Sequence, residues 1–443
     1  MKKTIKLAVS AAMLLSATSA LATNGDNMIG QGAASRAMGG VGIAVGFGAD
    51  SALSNPALLS TVENMEVDIA ATFFMPDVTV ESNALSFNPT TGAFVGQQTS
   101  QKSAADFSVI PEVTFGHRVN DNFTYGVGIF GTAGMGVDVS KNQGLAQMQT
   151  NLALAKIVLP LAYNNGGLSL GVTPVLQYGT LSIEYATPAG PSNNGTSSDT
   201  GFGWEAGAAY EINGLTLGAV YKSEIAMEYK DQISKASTDF GMRQNPATGV
   251  VAGLTDELNQ PAEFGVGVAY KTDGHTIALD YKNIMWGDSQ GYQEFNWEDQ
   301  RVIAIGYEYA KKDAWAVRVG YNHAENPIQE AAGANMFLGQ YDGAAENFFN
   351  MAGFPGIVES HYSFGGGYSF SKALTVDMAV IYAAEVSQTV DTTAMSQGLA
   401  FQGALDAGAD QATAGAAAGA TGPSSSTTTH SQLGVTLGVT YKF

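Results

Sequence analysis

The C-terminal end of the chain alternates without a break. Leu433, Val435, Leu437, Val439, Tyr441 and Phe443 occupy every second position, with Gly434, Thr436, Gly438, Thr440 and Lys442 between them. Successive side chains of a strand point to opposite faces, so this segment predicts a strand with one apolar face and one small or polar face. The pattern recurs at Leu215, Leu217, Ala219 and Tyr221, at Ile303, Ile305, Tyr307 and Tyr309, and at Trp315, Val317, Val319 and Tyr321. Aromatic residues gather at the ends of these segments, and a tilted strand needs only about ten residues to cross a bilayer.

On this pattern the chain predicts strands near 64–80, 103–118, 123–137, 154–163, 168–184, 201–211, 214–229, 260–271, 275–283, 299–310, 313–323, 357–370, 372–386 and 431–443. The links between them alternate in length. Asn120-Asp121-Asn122, Asn164-Asn165-Gly166-Gly167, Asn213-Gly214, Thr272-Asp273-Gly274 and Lys311-Lys312 are tight and carry turn chemistry. The others are long, the longest being 387–430. Short turns at one end and long loops at the other are the mark of a bacterial outer-membrane barrel, whereas a soluble sandwich has no reason to sort its loops by parity. The expected fold is therefore all-β, a transmembrane antiparallel barrel of about fourteen strands. Every backbone polar group in lipid must be paired internally, so such a sheet has to close on itself.

Residues 23–62 do not alternate. They run Ile29-Gly30-Gln31-Gly32 and Met38-Gly39-Gly40-Val41-Gly42, then Asn55-Pro56-Ala57. The glycines superficially match a phosphate-binding loop, but no strand precedes them and no Walker lysine follows. The segment is too apolar for a solvated tail, and a compact plug inside a wide lumen accounts for it better. Upstream, Lys2, Lys3 and Lys6 precede the short apolar run Leu7 to Leu15, and Ala20-Leu21-Ala22 offers a cleavage site. The chain thus divides into a signal peptide at 1–22, a plug at 23–62 and a barrel at 63–443.

Charge and composition narrow the partners. The formal net charge is −20, and loss of the three signal-peptide lysines takes it to −23, which disfavours nucleic acid. There is no cysteine, so disulfides, thiolate metal sites and a cysteine nucleophile are excluded. The five histidines at 117, 275, 323, 361 and 430 lack metal-ligand spacing, and nothing calls for a cofactor. His361 and Ser363 share one strand face, as a lipase would require, but no third group is evident to orient the base.

The glycine-rich run with Asn24-Gly25, Met38-Gly39-Gly40 and Asn55-Pro56-Ala57 resembles the N-terminal hatch of the FadL/TodX family. Gly201 to Gly207, Tyr221-Lys222-Ser223-Glu224, Leu258-Asn259-Gln260-Pro261 and Arg318-Val319-Gly320-Tyr321 resemble later blocks of that family. The resemblance implies an outer-membrane channel, not an enzyme, for passive uptake of long-chain fatty acids or hydrocarbons. Its hatch would involve Gly30, Gly32, Met38, Gly39, Gly40, Asn55, Pro56 and Ala57. Release would pass through a gap at the third strand, where this chain carries Gly131, Gly134 and Gly136. The basic side chains that hold a carboxylate in the family have no counterpart near Gly179 to Leu181 or at Glu298. Arg318, inward by parity, is the candidate ligand contact, although Glu308 stands ready to pair with it. The resemblance also implies a monomer whose partners are a hydrophobic small molecule, outer-membrane lipid and lipopolysaccharide, with Phe443 read by the barrel-assembly machinery. A general diffusion porin and an outer-membrane lipase are the competing readings.

Overall fold

The computed structural model describes residues 23–88, 93–187, 190–242, 253–331 and 342–443; the expected signal peptide lies outside the described residues. The alternating segments form β1 (Met65–Ser82), β2 (Ser108–Arg118), β3 (Phe123–Met135), β4 (Gln149–Val158, resuming at Leu161–Asn165) and β5 (Leu168–Thr187). They continue with β6 (Ser197–Ile212), β7 (Leu215–Lys222), β8 (Glu263–Thr272), β9 (His275–Ile284) and β10 (Gln300–Lys311). β11 (Trp315–Ala324), β12 (Ser360–Ser369), β13 (Leu374–Asp391) and β14 (Ser425–Lys442) complete the set. Each strand pairs antiparallel with its neighbour, and β14 pairs with β1 from Ser426↔Ser82 to Lys442↔Glu66, so the fourteen strands close into a barrel.

The barrel is inverted relative to a soluble domain. In β14 the outward Leu433, Leu437, Val439 and Tyr441 are exposed, while Gly434, Thr436 and Gly438 face a filled interior. The same sorting leaves Leu170, Leu217, Val266, Ile305 and Val319 on the outside, the surface that lipid covers. β4 is broken by Leu159-Pro160, because Pro160 has no N–H to give the ladder. β7 ends at Lys222, earlier than its hydrophobic pattern suggests, and β13 runs on to Asp391 while β14 begins already at Ser425, both further into the long-loop end than predicted. Their extension is held by a polar ladder of Ser387–Thr429 and Thr389–Thr427 pairs, which apolar alternation does not reveal.

The long loops carry helices: Ile233–Asp239, Asp342–Gly353, Thr393–Asp406 and Gln411–Ala420. The residues ahead of β1 lie within the barrel. A small hairpin pairs Thr23↔Met28 and Asn24↔Asn27, followed by helix Gly32–Ala37 and the 3-10 turns Gly48–Leu53 and Pro56–Thr61. This N-terminal segment fills the lumen between the long-loop end and the short-turn end.

Candidate functional site

The N-terminal segment is seated on glycines of the wall. Gly306, Gly320 and Gly365 face Met38, Gly39 and Ala37 so closely that a side chain on any of them would collide. Gly171 and Gly207 receive Pro56 and Asn55 in the same way. On the segment's own side, Gly30, Gly32, Gly39 and Gly40 all adopt positive φ, from +65° to +79°. Only glycine takes that backbone freely. The Gly39 N–H donates to Ser363 Oγ at 2.8 Å, and Ser363 Oγ donates to the Ala37 carbonyl at 3.1 Å. Asn55 caps the turn that Pro56 opens, accepting from Ala57 N at 3.1 Å and donating to Ile43 O at 2.8 Å. Met38 is fully buried against Val41, Ala44, Ala269, Ala278 and Ala304.

Wall carboxylates hold the segment's amides. Asp280 accepts from Gly42 N and Ile43 N at 2.7 and 2.9 Å, Glu66 from Ala49 N at 2.8 Å, and Glu112 from Gly32 N at 2.8 Å. Glu112 also pairs with the fully buried Arg36, whose guanidinium donates to Thr72 Oγ1 at 2.8 Å. Glu112 and Asp280 therefore serve the segment. Asp50 lies in the same seam. Burial pushes its carboxyl up to about 7, helped by the neighbouring Glu112 charge, against the hydroxyl of Thr114 at 2.9 Å.

The wall changes character at β3. Ladder pairing between β2 and β3 runs from Arg118↔Thr124 to Glu112↔Phe130 and stops. Ser108 to Pro111 still pair with β1, so β2 continues while β3 leaves it. Pro111, next to the last pair, has no N–H for a ladder. Gly131 lies against Ile110, where a Cβ would come within 2.5 Å of the Ile110 side chain. Between Gly131 and Ala133 the pairing of β3 with β4 slips by one residue, leaving Thr132 as a bulge. From Thr132 to Met135 every residue is buried, so the alternation ends there. The wedge opened between β2 and β3 is filled by the N-terminal hairpin: Asn27 bridges Ala133, and Gly134 N donates to Asp26 O at 3.1 Å. Gly136 lies just past the strand, against the backbone of Thr150.

Above the hairpin, toward the long loops, is an apolar pocket bounded by Met135, Leu181, Leu258, Tyr292, Phe295, Trp297 and Phe354. Its open space is only about 20 Å³. The loop between β9 and β10 supplies most of the aromatic surface. Trp286, Tyr292 and Trp297 pack with ring centroids 4.5 to 5.2 Å apart, and Phe295 stacks on Phe349 at 5.3 Å. No charged side chain lines this pocket among the described residues. Beside the wedge, a separate polar cavity of about 60 Å³ is lined in part by Thr132, Lys156, Glu205, Lys222 and Glu263, with Lys222 and Glu263 paired at 3.2 Å. Below the segment, a vestibule of about 770 Å³ opens toward the short turns.

Arg318 belongs to that vestibule. Its guanidinium contacts Glu308 at 2.7 Å and Asp377 at 2.5 Å, so the pairing with Glu308 is joined by a second carboxylate and the cation faces neither the pocket nor the wedge. Sequence reading missed Asp26, Tyr292 and Trp297. The signal for the last two was a loop, Trp286 to Trp297, carrying four large aromatics where a solvated connection needs none.

Comparisons with known proteins agree with this architecture. A family model described as outer membrane protein transport protein (OMPP1/FadL/TodX) matches residues 9–336, well over half of the chain. The long-chain fatty acid transport protein of Escherichia coli is 24% identical over 78% of this chain and 84% of its own length. Outer membrane protein P1 of Haemophilus influenzae is 22% identical over 76% and 81%. Among solved structures, a Pseudomonas aeruginosa FadL homologue superposes with a TM-score of 0.67 at 16% identity, covering 95% of this chain and all of that one. The Pseudomonas putida toluene transporter TodX gives 0.63 at 17%, with the same coverage. The chain belongs to the outer membrane protein transport protein (OMPP1/FadL/TodX) family, and its barrel is an outer-membrane barrel.

Proposed function

We propose that this chain is a passive channel that takes small hydrophobic molecules from the long-loop face, holds them in the aromatic pocket and releases them sideways through the wedge between β2 and β3. Residues 23–62 act as a hatch, with Gly30, Gly32, Met38, Gly39, Gly40, Asn55, Pro56 and Ala57 forming its seat, and Gly131, Gly134 and Gly136 shape the lateral opening. The observation that carries this reading is the ladder that stops at Glu112↔Phe130 beside an apolar pocket, with the hairpin as its filling. An apolar ligand gains nothing from a water-filled pore, and sideways release keeps it in apolar surroundings.

The pocket favours an uncharged ligand. Relatives named for fatty acids and for toluene both exist. A carboxylate moved into an apolar site needs a cation, and Arg318 is engaged by two acids elsewhere. Aromatic and other uncharged hydrocarbons are therefore the preferred cargo. A general diffusion porin would need an open constriction, which residues 23–62 occupy. Transport without covalent chemistry accords with Ser363, whose hydroxyl is spent on the hatch backbone. Phe443 follows β14, is exposed and donates its amide to Met65 O at 2.9 Å; we take it as the residue that the assembly machinery reads. The barrel acts as a monomer among lipid and lipopolysaccharide.

The test is uptake of labelled toluene and labelled oleate, separately, by cells that lack a channel of this kind and express the chain. Uptake of toluene in excess of oleate is expected. Uptake of neither, with the barrel inserted, overturns the reading.

A further inference from the structure

One carboxylate joins the aromatic pocket to the wedge. Asp26, at the turn of the N-terminal hairpin, is fully buried. Its Oδ2 accepts from the Tyr292 hydroxyl at 2.5 Å and from Gln260 Nε2 at 3.0 Å. Its own carbonyl accepts from Gly134 N at 3.1 Å, beyond the point where β3 has left β2. On the other side of the turn, Gly25 has φ +66° and lies under the Trp286 indole, where a Cβ would come within 2.7 Å of the ring. Tyr292 and Trp297 pack against that indole. Tyr292 thus belongs to the wall of the pocket and to the clamp on the hairpin at once.

The volume of the pocket dictates how a ligand enters. A space of about 20 Å³ holds roughly one water, whereas a cavity that binds benzene measures on the order of 150 Å³. A ligand enters only by pushing the aromatic wall aside. When Tyr292 moves, Asp26 loses its shortest hydrogen bond while still buried, and a buried polar group without its partner is costly to keep in place. The hairpin is then released from Ala133 and Gly134.

We propose that Asp26 is the latch that makes opening of the wedge depend on occupancy of the aromatic pocket, with Tyr292 as its sensor. This rests on the lateral-release reading above and assigns its coupling to two positioning residues. The arrangement keeps the lateral opening shut while the pocket is empty, so a pore does not stand open in the membrane.

The chain has no cysteine, so an engineered pair is unambiguous. Asn27 and Ala133 face each other across the bridge, and Asn27→Cys with Ala133→Cys ties the hairpin to β3. Uptake of labelled toluene by cells is measured for this pair, oxidised and reduced. Amide hydrogen exchange at residues 131–135 is measured on the full chain in lipid nanodiscs, with and without toluene, for the native protein and Tyr292→Phe. The oxidised pair is expected to lose uptake and regain it on reduction. Tyr292→Phe keeps the ring and is expected to speed exchange at Gly134 about tenfold or more without toluene, the scale of one hydrogen bond to a charged group. Toluene should produce that speed in the native chain and add little to it in the variant. If Tyr292→Phe exchanges like the native chain and toluene accelerates both alike, Asp26 is not the latch, although lateral release stands. If the oxidised pair imports as well as the reduced one, the hairpin need not move and lateral release falls as well. Should Tyr292→Phe fail to assemble, Asp26→Asn removes the charged acceptor at its other end and is read by the same exchange experiment.

Discussion

Two of the places where the N-terminal segment touches the barrel are built differently. Against β10, β11 and β12 it lies backbone to backbone: Met38 and Gly39 enter a furrow made by Gly306, Gly320 and Gly365, and Ser363 fastens both sides of the turn. Against β3 it has a single bridge at Asn27↔Ala133, one hydrogen bond from Gly134 N to the Asp26 carbonyl, and a carboxylate whose partner sits in the aromatic pocket. Close backbone contact without side chains leaves no intermediate position, since any shift forfeits several contacts at once. A hairpin held by one bridge and one carboxylate can leave and return. One segment therefore combines a fixed anchor with a movable end, and the movable end is the one at the break in the wall.

Damage to the anchor should have the largest effect. A valine at Gly320 would put its Cβ into the backbone of Met38 and Gly39, which cannot retreat into the barrel wall. The expected outcome is a barrel that still closes but has lost its filling. Planar-bilayer recordings of Gly320→Val should show large, steady conductance where the native chain shows little. A native-like trace would mean that the furrow is not what holds the segment.

Next in size is the charge at the seam. Arg36 is fully buried against Glu112, and Arg36→Ala leaves that carboxylate buried without its cation. Removing one partner of such a pair costs about 3–5 kcal/mol. The heat-unfolding midpoint followed by gel mobility should fall clearly, and an unchanged midpoint would show that the seam is hydrated well enough to carry the charge alone.

Acidity tests the same seam more gently. Asp50 is held near 7 in the seated segment, above its ordinary value of 3.8, because burial and the Glu112 charge oppose its ionisation. A raised carboxyl binds its proton more tightly in the seated state, so the seat is strongest at and below pH 3.8. It weakens as pH climbs toward 7 and is level above that. Asp26, held near 6 by burial, gives the movable end the same sign over a narrower window. Exchange of the amides at 45–53 should therefore quicken from about pH 4 to about pH 7 in the native chain and stay flat in Asp50→Asn. A native profile that is flat after correction for intrinsic exchange would remove Asp50 from the seam's energetics.

The fixed anchor was far easier to read from sequence than the movable end. Gly30, Gly32, Gly39 and Gly40 stand close together, and their density along the chain is enough to announce unusual backbone. The fourteen strands were readable because lipid enforces alternation on the outer face. Asp26 and Tyr292 are 266 positions apart and meet only because the loop after β9 folds into the lumen, which no local pattern encodes. Arg318 shows the boundary between the two cases. Glu308 sits on the adjacent strand and could be named from parity. Asp377 lies two strands away and reaches the guanidinium across β12 because Gly365 and Gly367 leave no side chain between them.

The smallest expected effect lies at the gap itself. Gly131→Ala adds one methyl group facing Ile110 Cγ2 at 2.5 Å, and that atom is a methyl on a branched Cβ, which gives way only by turning χ1 or by a shift of the strand. Ile110 can turn away at a cost of about 1 kcal/mol, the scale of an off-rotamer side chain. The strain is relieved if β2 and β3 part slightly, because no ladder bond joins them beyond Glu112↔Phe130. The methyl group thus favours the open wedge, and toluene uptake should rise about two- to fivefold, the scale of that same ~1 kcal/mol, while the unfolding midpoint barely moves. The same methyl at Gly128, where the ladder is intact, meets the Val158 side chain at 3.0 Å and, more closely, Phe130. There it should lower stability and leave uptake unchanged. Equal effects at 131 and 128 would mean that β3 is one uniform strand and that its break is not the exit.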